Sequence, residues 1–377
     1  LSLSLLTSIQ YFYNLTIHGL GILHITSMAW AYKYHLLTCF GILVALVLAL
    51  VVQVTFFSPS FGPAANEFRN GKIQEVIKLG EGLLKQPEDV AVDKNGVLYT
   101  ATRDGFIKRM HKNGTWENWR RLDSDGLLGV TVTAAGDIVV CDANKGPLKI
   151  DEKGVKVLAL HGFADDVVEA SDGSLYYSVA STKYGLHNWH LDVLEAKPHG
   201  QLLKYDPSSN ATYVVLDGLG FANGVALSAD QDYLVICESW KHTCLKYWLD
   251  GDKKGKTEIF IDNLPGAPDN INLAPDGSFW IALLELHSRR LEFLYKWRSL
   301  RYLIESHHEL GKWMARLRKK AMVVNVDRNG KIIRGFDDPT GKVMEFVTSA
   351  LEFEGHLYLG SLRNDFIGKL PLPTPPV

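Results

Sequence analysis

The sequence predicts an all-β protein, a six-bladed β-propeller with an N-terminal hydrophobic signal-anchor helix and helical lid insertions. Three observations predict it. A strand pattern recurs six times from residue 87 onward, a polar pair keeps one position in most recurrences, and a long uncharged apolar run precedes them. Propellers set short strands, four to a blade, around a central channel with a period of roughly 40–50 residues. A sandwich would not repeat one polar position six times, and a solenoid has shorter, more uniform units.

The units begin at Glu88-Asp89-Val-Ala-Val, Leu128-Gly129-Val-Thr-Val, Asp165-Asp166-Val-Val-Glu, Asn223-Gly224-Val-Ala-Leu, Asp269-Asn270-Ile-Asn-Leu and Thr348-Ser349-Ala-Leu-Glu. Each continues into a turn and a second strand such as Gly96-Val-Leu-Tyr or Gly277-Ser-Phe-Trp. From the second pair residue to the turn Gly is seven residues in units one, two, three and five and six in the last; unit four has Ala-Asp-Gln-Asp there. Third strands follow, for example Phe106-Ile-Lys-Arg and Cys244-Leu-Lys-Tyr-Trp, and several end at turns such as Lys112-Asn-Gly. The propeller is therefore expected over residues 70–372.

Residues 1–32 hold no Asp, Glu, Lys or Arg. After Lys33 and His35 a second uncharged stretch runs to Asn66, with Cys39 to Phe57 long enough to cross a hydrocarbon slab of ~30 Å as a helix. No polar face exists to wet one side of a buried core helix. The first Met is Met28, and a short basic segment then precedes the apolar run, the layout of a signal sequence. Residues 1–35 are thus expected to be an extension, with 1–27 upstream sequence included by a gene model, 36–57 an uncleaved signal anchor and 58–69 a linker. The propeller is then expected on the luminal side of a secretory-pathway membrane, endoplasmic reticulum or vacuole. Two sequons, at Asn113 and Asn210, fit glycosylation there. Forty Lys and Arg against 42 Asp and Glu give a net charge of −2, which argues against a nucleic-acid partner.

Cys237 and Cys244 flank ESWKHT. On paired strands they would lie opposite each other, so a disulfide is possible; two buried thiols fit as well. No Cys/His cluster supports zinc.

In a propeller, equal repeat positions form a ring around the axis. The first pair members are Glu88, Leu128, Asp165, Asn223, Asp269 and Thr348. Four of them, with Asn270, offer the hard oxygen ligands that Ca²⁺ prefers. Three crowded carboxylates repel one another unless a cation lies between them. The competing reading places these residues simply at turns before strands.

The stretches PEDVAVD, LVICESWKHTCLKYWLDG, DNLPGAPDNINLAPDGSFWIAL and LEFEGHLYLGSLRNDFIGKLPL resemble the plant strictosidine-synthase-like family, related to the adipocyte plasma-membrane-associated proteins of animals and, more widely, to the paraoxonases. The resemblance covers residues 67–372 and implies a six-bladed fold with a central Ca²⁺ held by Glu88, Asp165, Asn223, Asp269 and Asn270. The family more usually has Asn where Asp165 stands. A catalytic Glu of true strictosidine synthases aligns with Thr348, which removes the proton-transfer group their condensation needs. Glu345 and Glu352 are out of register for it, and no His between His111 and His161 supplies the paraoxonase dyad.

The function expected is therefore a Ca²⁺-dependent hydrolase acting on a small-molecule ester, lactone or organophosphate, with Asp269 as nucleophile or base. One alternative is a non-catalytic, membrane-anchored binding propeller with structural Ca²⁺. A second, strictosidine-type condensation of an amine with an aldehyde, is disfavoured by Thr348. Two insertions would shape access. Residues 182–195 carry His187, Trp189 and His190 and read as a pocket lid or, through the three-residue His spacing, as metal ligands. Residues 286–320 are basic with apolar residues at helical spacing and read as a solvated cover or a membrane-contacting helix.

Overall fold

The alternating Val, Ile and Leu after each polar pair fold as strands whose side chains point by turns to the two faces of a sheet. In the computed structural model, which describes residues 69–284 and 320–373 together with residues 7–11, 16, 33–35, 37–42 and 44–46, they build six four-stranded antiparallel sheets. The innermost strands are Val90–Val92, Leu127–Val132, Ala164–Glu169, Ala222–Leu227, Ala267–Leu273 and Val347–Phe353. Each packs against the innermost strand of the next sheet, and the last packs against the first, so the sheets are the blades of a closed propeller.

The described residues form no single core. Apolar layers lie between neighbouring blades: Ala101, Ile107 and Val130 between blades one and two, Cys141 and Tyr177 between two and three, Leu202 and Ile236 between three and four. The circuit continues with Val235 and Phe279, then Trp280 and Leu357, and returns to blade one through Tyr358, Ile367 and Leu98. Each blade is thus buried on both faces.

The sixth blade takes its outer strand from the other end of the domain. Ile77–Leu79 pairs antiparallel with Ile367–Pro371, with Ile77 opposite Lys369. A 3₁₀ turn, Lys72–Glu75, leads into it. The backbone N–H groups of Asn70 and Gly71 donate to Asp337 Oδ1 at 2.9 and 2.8 Å, Gln74 donates to Asp338 at 2.8 Å, and Ile73 is fully buried in the layer of blades five and six. The N-terminal segment therefore latches the ring shut.

The chain divides into two compact units, Leu1–Pro59 and Ser60–Val377. In the first, residues 7–11, 16, 33–35, 37–42 and 44–46 are helical, and among the described residues no helix is long and apolar enough to cross a membrane. Most of the expected anchor at 36–57, and residues 286–319 of the second insertion, lie outside the described residues.

If the latch closes the ring through its buried side chain, Ile73→Ala will lower the unfolding free energy by about 2–5 kcal/mol. Ile77→Ala, at an exposed position of the closing strand, will cost less than about 1 kcal/mol. Equilibrium denaturation of both variants measures the difference, and equal costs would refute the assignment.

Candidate functional site

The polar pairs sit where the inner strands are irregular. In blades two to five the register slips at the pair, so that Leu128 and Gly129 together face Cys141, Asp165 and Asp166 face Ser178, Asn223 and Gly224 face Cys237, and Asp269 and Asn270 face Ala282. Such a bulge fits one extra residue into the strand and re-aims its side chains. The two members of a pair then serve different ends.

The second members fasten blades together. Asp89 accepts from the backbone N–H groups of Val90 and, in the next blade, Val130, both at 2.8 Å, and from the Ser349 hydroxyl of the sixth blade. Asp166 accepts likewise from Val167 and, across the next interface, from Val225 at 2.8 Å. Gly129 and Gly224 hold the same place without a side chain because none fits. A Cβ on Gly129 would come within 2.7 Å of Asp165 O, and one on Gly224 within 2.4 Å of Asp269 O. Close blade contact explains why unit two lost its polar second member.

The first members form the ring. Glu88, Asp165, Asn223, Asp269 and the adjoining Asn270 are all buried. Asn270 donates to Glu88 Oε1 at 2.9 Å, while Glu88 Oε2, Asn223 Oδ1 and Asn270 Oδ1 have no hydrogen-bond partner among the described residues. Burial, reinforced by Asp89, Asp269 and Asp165, pushes the Glu88 carboxyl well above its ordinary value. Asp269 is raised by burial and by Asp165, against a hydrogen bond from Asn223 that lowers it. Asp165 is raised by burial to about 7, with the Arg103 guanidinium drawing it down. Orphaned hard oxygens beside carboxylates that resist ionisation form a donor set suited to a hard cation such as Ca²⁺. The set needs its amide oxygens, since among the described residues no three His, Cys, Asp or Glu side chains are grouped closely enough to hold a metal by themselves.

Leu128 leaves the ring apolar in blade two, and Thr348 closes it in blade six by donating its hydroxyl to Glu88 O at 2.6 Å. Among the described residues no carboxylate replaces Thr348. Glu352 accepts from Trp280 Nε1 at 2.6 Å, and Glu345 pairs with Arg363 at 3.6 Å.

An apolar collar covers this end of the channel. Phe163, Phe221 and Phe346 each stand two residues before a pair with left-handed φ of 53°, 59° and 53°, and Gln86 repeats the conformation in blade one at 52°. Such φ values are unusual for bulky side chains and carry strain of order 1–3 kcal/mol. Phe163 and Phe221 meet edge to face at 5.4 Å. Sequence reasoning missed this collar, although an aromatic two residues before the pair in three units was visible in the sequence.

The first insertion forms a 3₁₀ turn, Leu186–Asn188, and helix α1, Trp189–Glu195. Trp189 packs on the cluster of Leu128, Phe163 and Phe221 and also on that of Ala267 and Leu284, so it crosses from blade three toward blade five above the ring. His187 and His190 part company: His187 is exposed, 3.3 Å from Asp125, whereas His190 is buried. The helix begins only at Trp189, so the three-residue spacing does not put both on one face.

Cys237 and Cys244 are register partners and are joined as a disulfide. Asn113 and Asn210 are both exposed. Two open clefts, of about 460 and 550 Å³, lie among the turns at the other end of the inner strands and contain none of the ring residues.

Fold and ring together define a class, the six-bladed propellers whose channel converges on oxygen-bearing side chains. Residues 165–252 match the strictosidine synthase family and residues 69–110 the N-terminal region of strictosidine synthase-like proteins. The chain is 36% identical over 309 residues to strictosidine synthase-like protein 4 of Arabidopsis thaliana, covering 78% of this chain and 81% of that protein. It is 30% identical to the adipocyte plasma membrane-associated protein of Mus musculus, covering 81% and 80%. The chain belongs to the strictosidine synthase-like family. Among solved structures it is similar to a gluconolactonase from Xanthomonas campestris, at 16% identity and a TM-score of 0.56 over 84% of this chain and 95% of that one. A calcium-binding regucalcin from Agrobacterium tumefaciens is also similar, at 12% identity and a TM-score of 0.54 over 78% and 93%.

Asp165 contributes a defined part of the pH dependence of the metal-free protein. Its folded pKa of about 7 lies above the unfolded value of about 3.9, so the native state keeps a proton that the unfolded state has lost. The resulting stability is fully present below pH ~4 and disappears as pH rises through ~7. In chelator-treated protein the melting temperature should therefore fall between about pH 5 and pH 7.5, and Asp165→Asn should flatten the fall. Calorimetry at several pH values checks this; an unchanged slope in the variant contradicts it.

Proposed function

We propose that this chain is a Ca²⁺-dependent hydrolase acting on a small ester, lactone or organophosphate in the secretory pathway. The observation that carries the reading is the ring itself: three carboxylates pushed up by burial and by neighbouring carboxylates, with Glu88 Oε2 and the amide oxygens of Asn223 and Asn270 buried and without a partner among the described residues. Glu88, Asp165, Asn223, Asp269 and Asn270 would hold the ion. Bound there, it would supply a Lewis acid for a carbonyl or phosphoryl oxygen.

The remaining chemistry falls to the chain. Asp269 takes the proton of the attacking water, with the Asn223 amide orienting its carboxylate. Trp189 and the collar exclude bulk water and seat the apolar part of the substrate, and α1 acts as the lid. The lactonase and calcium-binding names of the similar folds are consistent with this reading. The plasma-membrane association named for the mouse relative supports a membrane-linked location, with Asn113 and Asn210 available for glycosylation. Strictosidine-type condensation is disfavoured, because the Thr348 hydroxyl is committed to Glu88 O and among the described residues no acid stands in its place.

Purified protein assayed with aryl esters and lactones should hydrolyse at least one class, lose that activity to a chelator and regain it with Ca²⁺. Asp269→Asn should lower kcat/KM by about 10²-fold or more. Activity that survives both treatments, or no turnover across the panel, defeats the proposal.

A further inference from the structure

One charged group at the ring end of the channel is unexplained by ion binding. Arg103 lies in the turn between strands Leu98–Thr102 and Phe106–Met110, at the end of blade one where the inner strand begins. Its backbone N–H is fixed on Lys85 O at 2.8 Å. Its guanidinium Nη1 is buried and has no hydrogen-bond partner among the described residues. Burial lowers its pKa, and the carboxylates of Asp125, Glu88, Asp165 and Asp142, in that order, raise it again. Arg103 thus lies within reach of the ring carboxylates Glu88 and Asp165 and of Asp125 and Asp142, with the N–H groups of Nη1 unspent among the described residues. A buried charged donor without an acceptor costs more than the ~1–3 kcal/mol of a neutral one, so the position is stable only where something else rewards it.

We infer that Arg103 anchors the substrate, and that the molecules taken by this site are organic carboxylates with an apolar body. The planar guanidinium suits a carboxylate because parallel N–H groups meet its two oxygens. A singly charged carboxylate also meets less repulsion from Glu88, Asp165, Asp125 and Asp142 than a doubly charged phosphate would. The apolar body would rest against Trp189 and the Phe163–Phe221 pair, which cover the ring from blades three and four. Arg103 is then a specificity-determining residue, and the inference rests on the ring being the place where substrate binds.

Benzoate and its neutral match benzamide, titrated calorimetrically against the full chain in Ca²⁺, separate the charge from the ring. Wild type should favour benzoate. Arg103→Met should weaken benzoate binding about tenfold or more and leave benzamide within about twofold, while Arg103→Lys, which keeps the charge and loses the fork, should fall between. Thermal melts confirm that both variants are folded. Benzoate affinity unchanged in Arg103→Met, an equal loss of both probes, or no measurable benzoate binding by wild type overturns the inference. Binding is read without turnover, so a benzoate preference in a protein that hydrolyses nothing keeps the anchor and removes only the hydrolase. Ester hydrolysis without a benzoate preference does the reverse.

Discussion

Everything at the axis of this propeller follows from the need to bury five carboxylates, Glu88, Asp89, Asp165, Asp166 and Asp269, where six inner strands meet. An ionised carboxylate cannot be taken out of water without compensation, and the chain compensates in two ways. Asp89 and Asp166 accept backbone N–H groups from their own strand and from the next blade. Among the described residues Glu88, Asp165 and Asp269 have no such backbone donors; burial drives all five carboxyls upward, and the N–H groups on Asp89 and Asp166 offset part of that rise. The first solution builds the fold, whereas the second leaves a demand for positive charge at the centre. The bulge in the inner strand lets adjacent residues of one pair divide these tasks.

Ring closure multiplies the consequence. A blade buries both faces only if it has two neighbours, so the ring depends on its weakest junction, the one joining the two ends of the domain. There Ile73 is buried as a plug, Asp337 receives two backbone N–H groups, and Ile77–Leu79 completes the sixth sheet. Close interblade approach also accounts for the units that break the polar pattern. Gly129 and Gly224 occupy places where any side chain would strike the next blade's backbone, so lost polarity there reflects packing and not loss of a site.

The propeller and its ring were legible in the sequence because the determinants recur: a pair, an alternation and a turn seven residues on. Features that occur once were not. The closing strand is three residues long, carries no periodicity of its own and pairs with a segment about 290 residues away in sequence. Arg103 lies in a second-to-third-strand turn whose identity is not shared among units, so nothing in the repeat marks it. The His187/His190 spacing read as a shared helix face, but the chain crosses that stretch partly as a 3₁₀ turn, and the side chains diverge. The Phe collar lay between these cases, since it repeats, yet its left-handed backbone gives it meaning only once the strands are placed.

The first insertion shows how differently two parts of one segment are held. At its base Glu195 receives Lys183 at 2.6 Å, Lys197 at 2.8 Å, the Tyr184 hydroxyl at 2.9 Å and His199 at 3.1 Å, a convergence that draws its carboxyl well below the ordinary range. Single exposed ion pairs contribute little, but these donors come from both stems of the insertion, so one carboxylate ties its entry to its exit. Farther along, the exposed His187–Asp125 contact is the weaker restraint and the packing of Trp189 the stronger. Salt screens the base more than it touches the buried indole. The stem is therefore held by charge and the helix by apolar packing, with Trp189 seated on the cluster beneath it while Glu195 keeps the stem together.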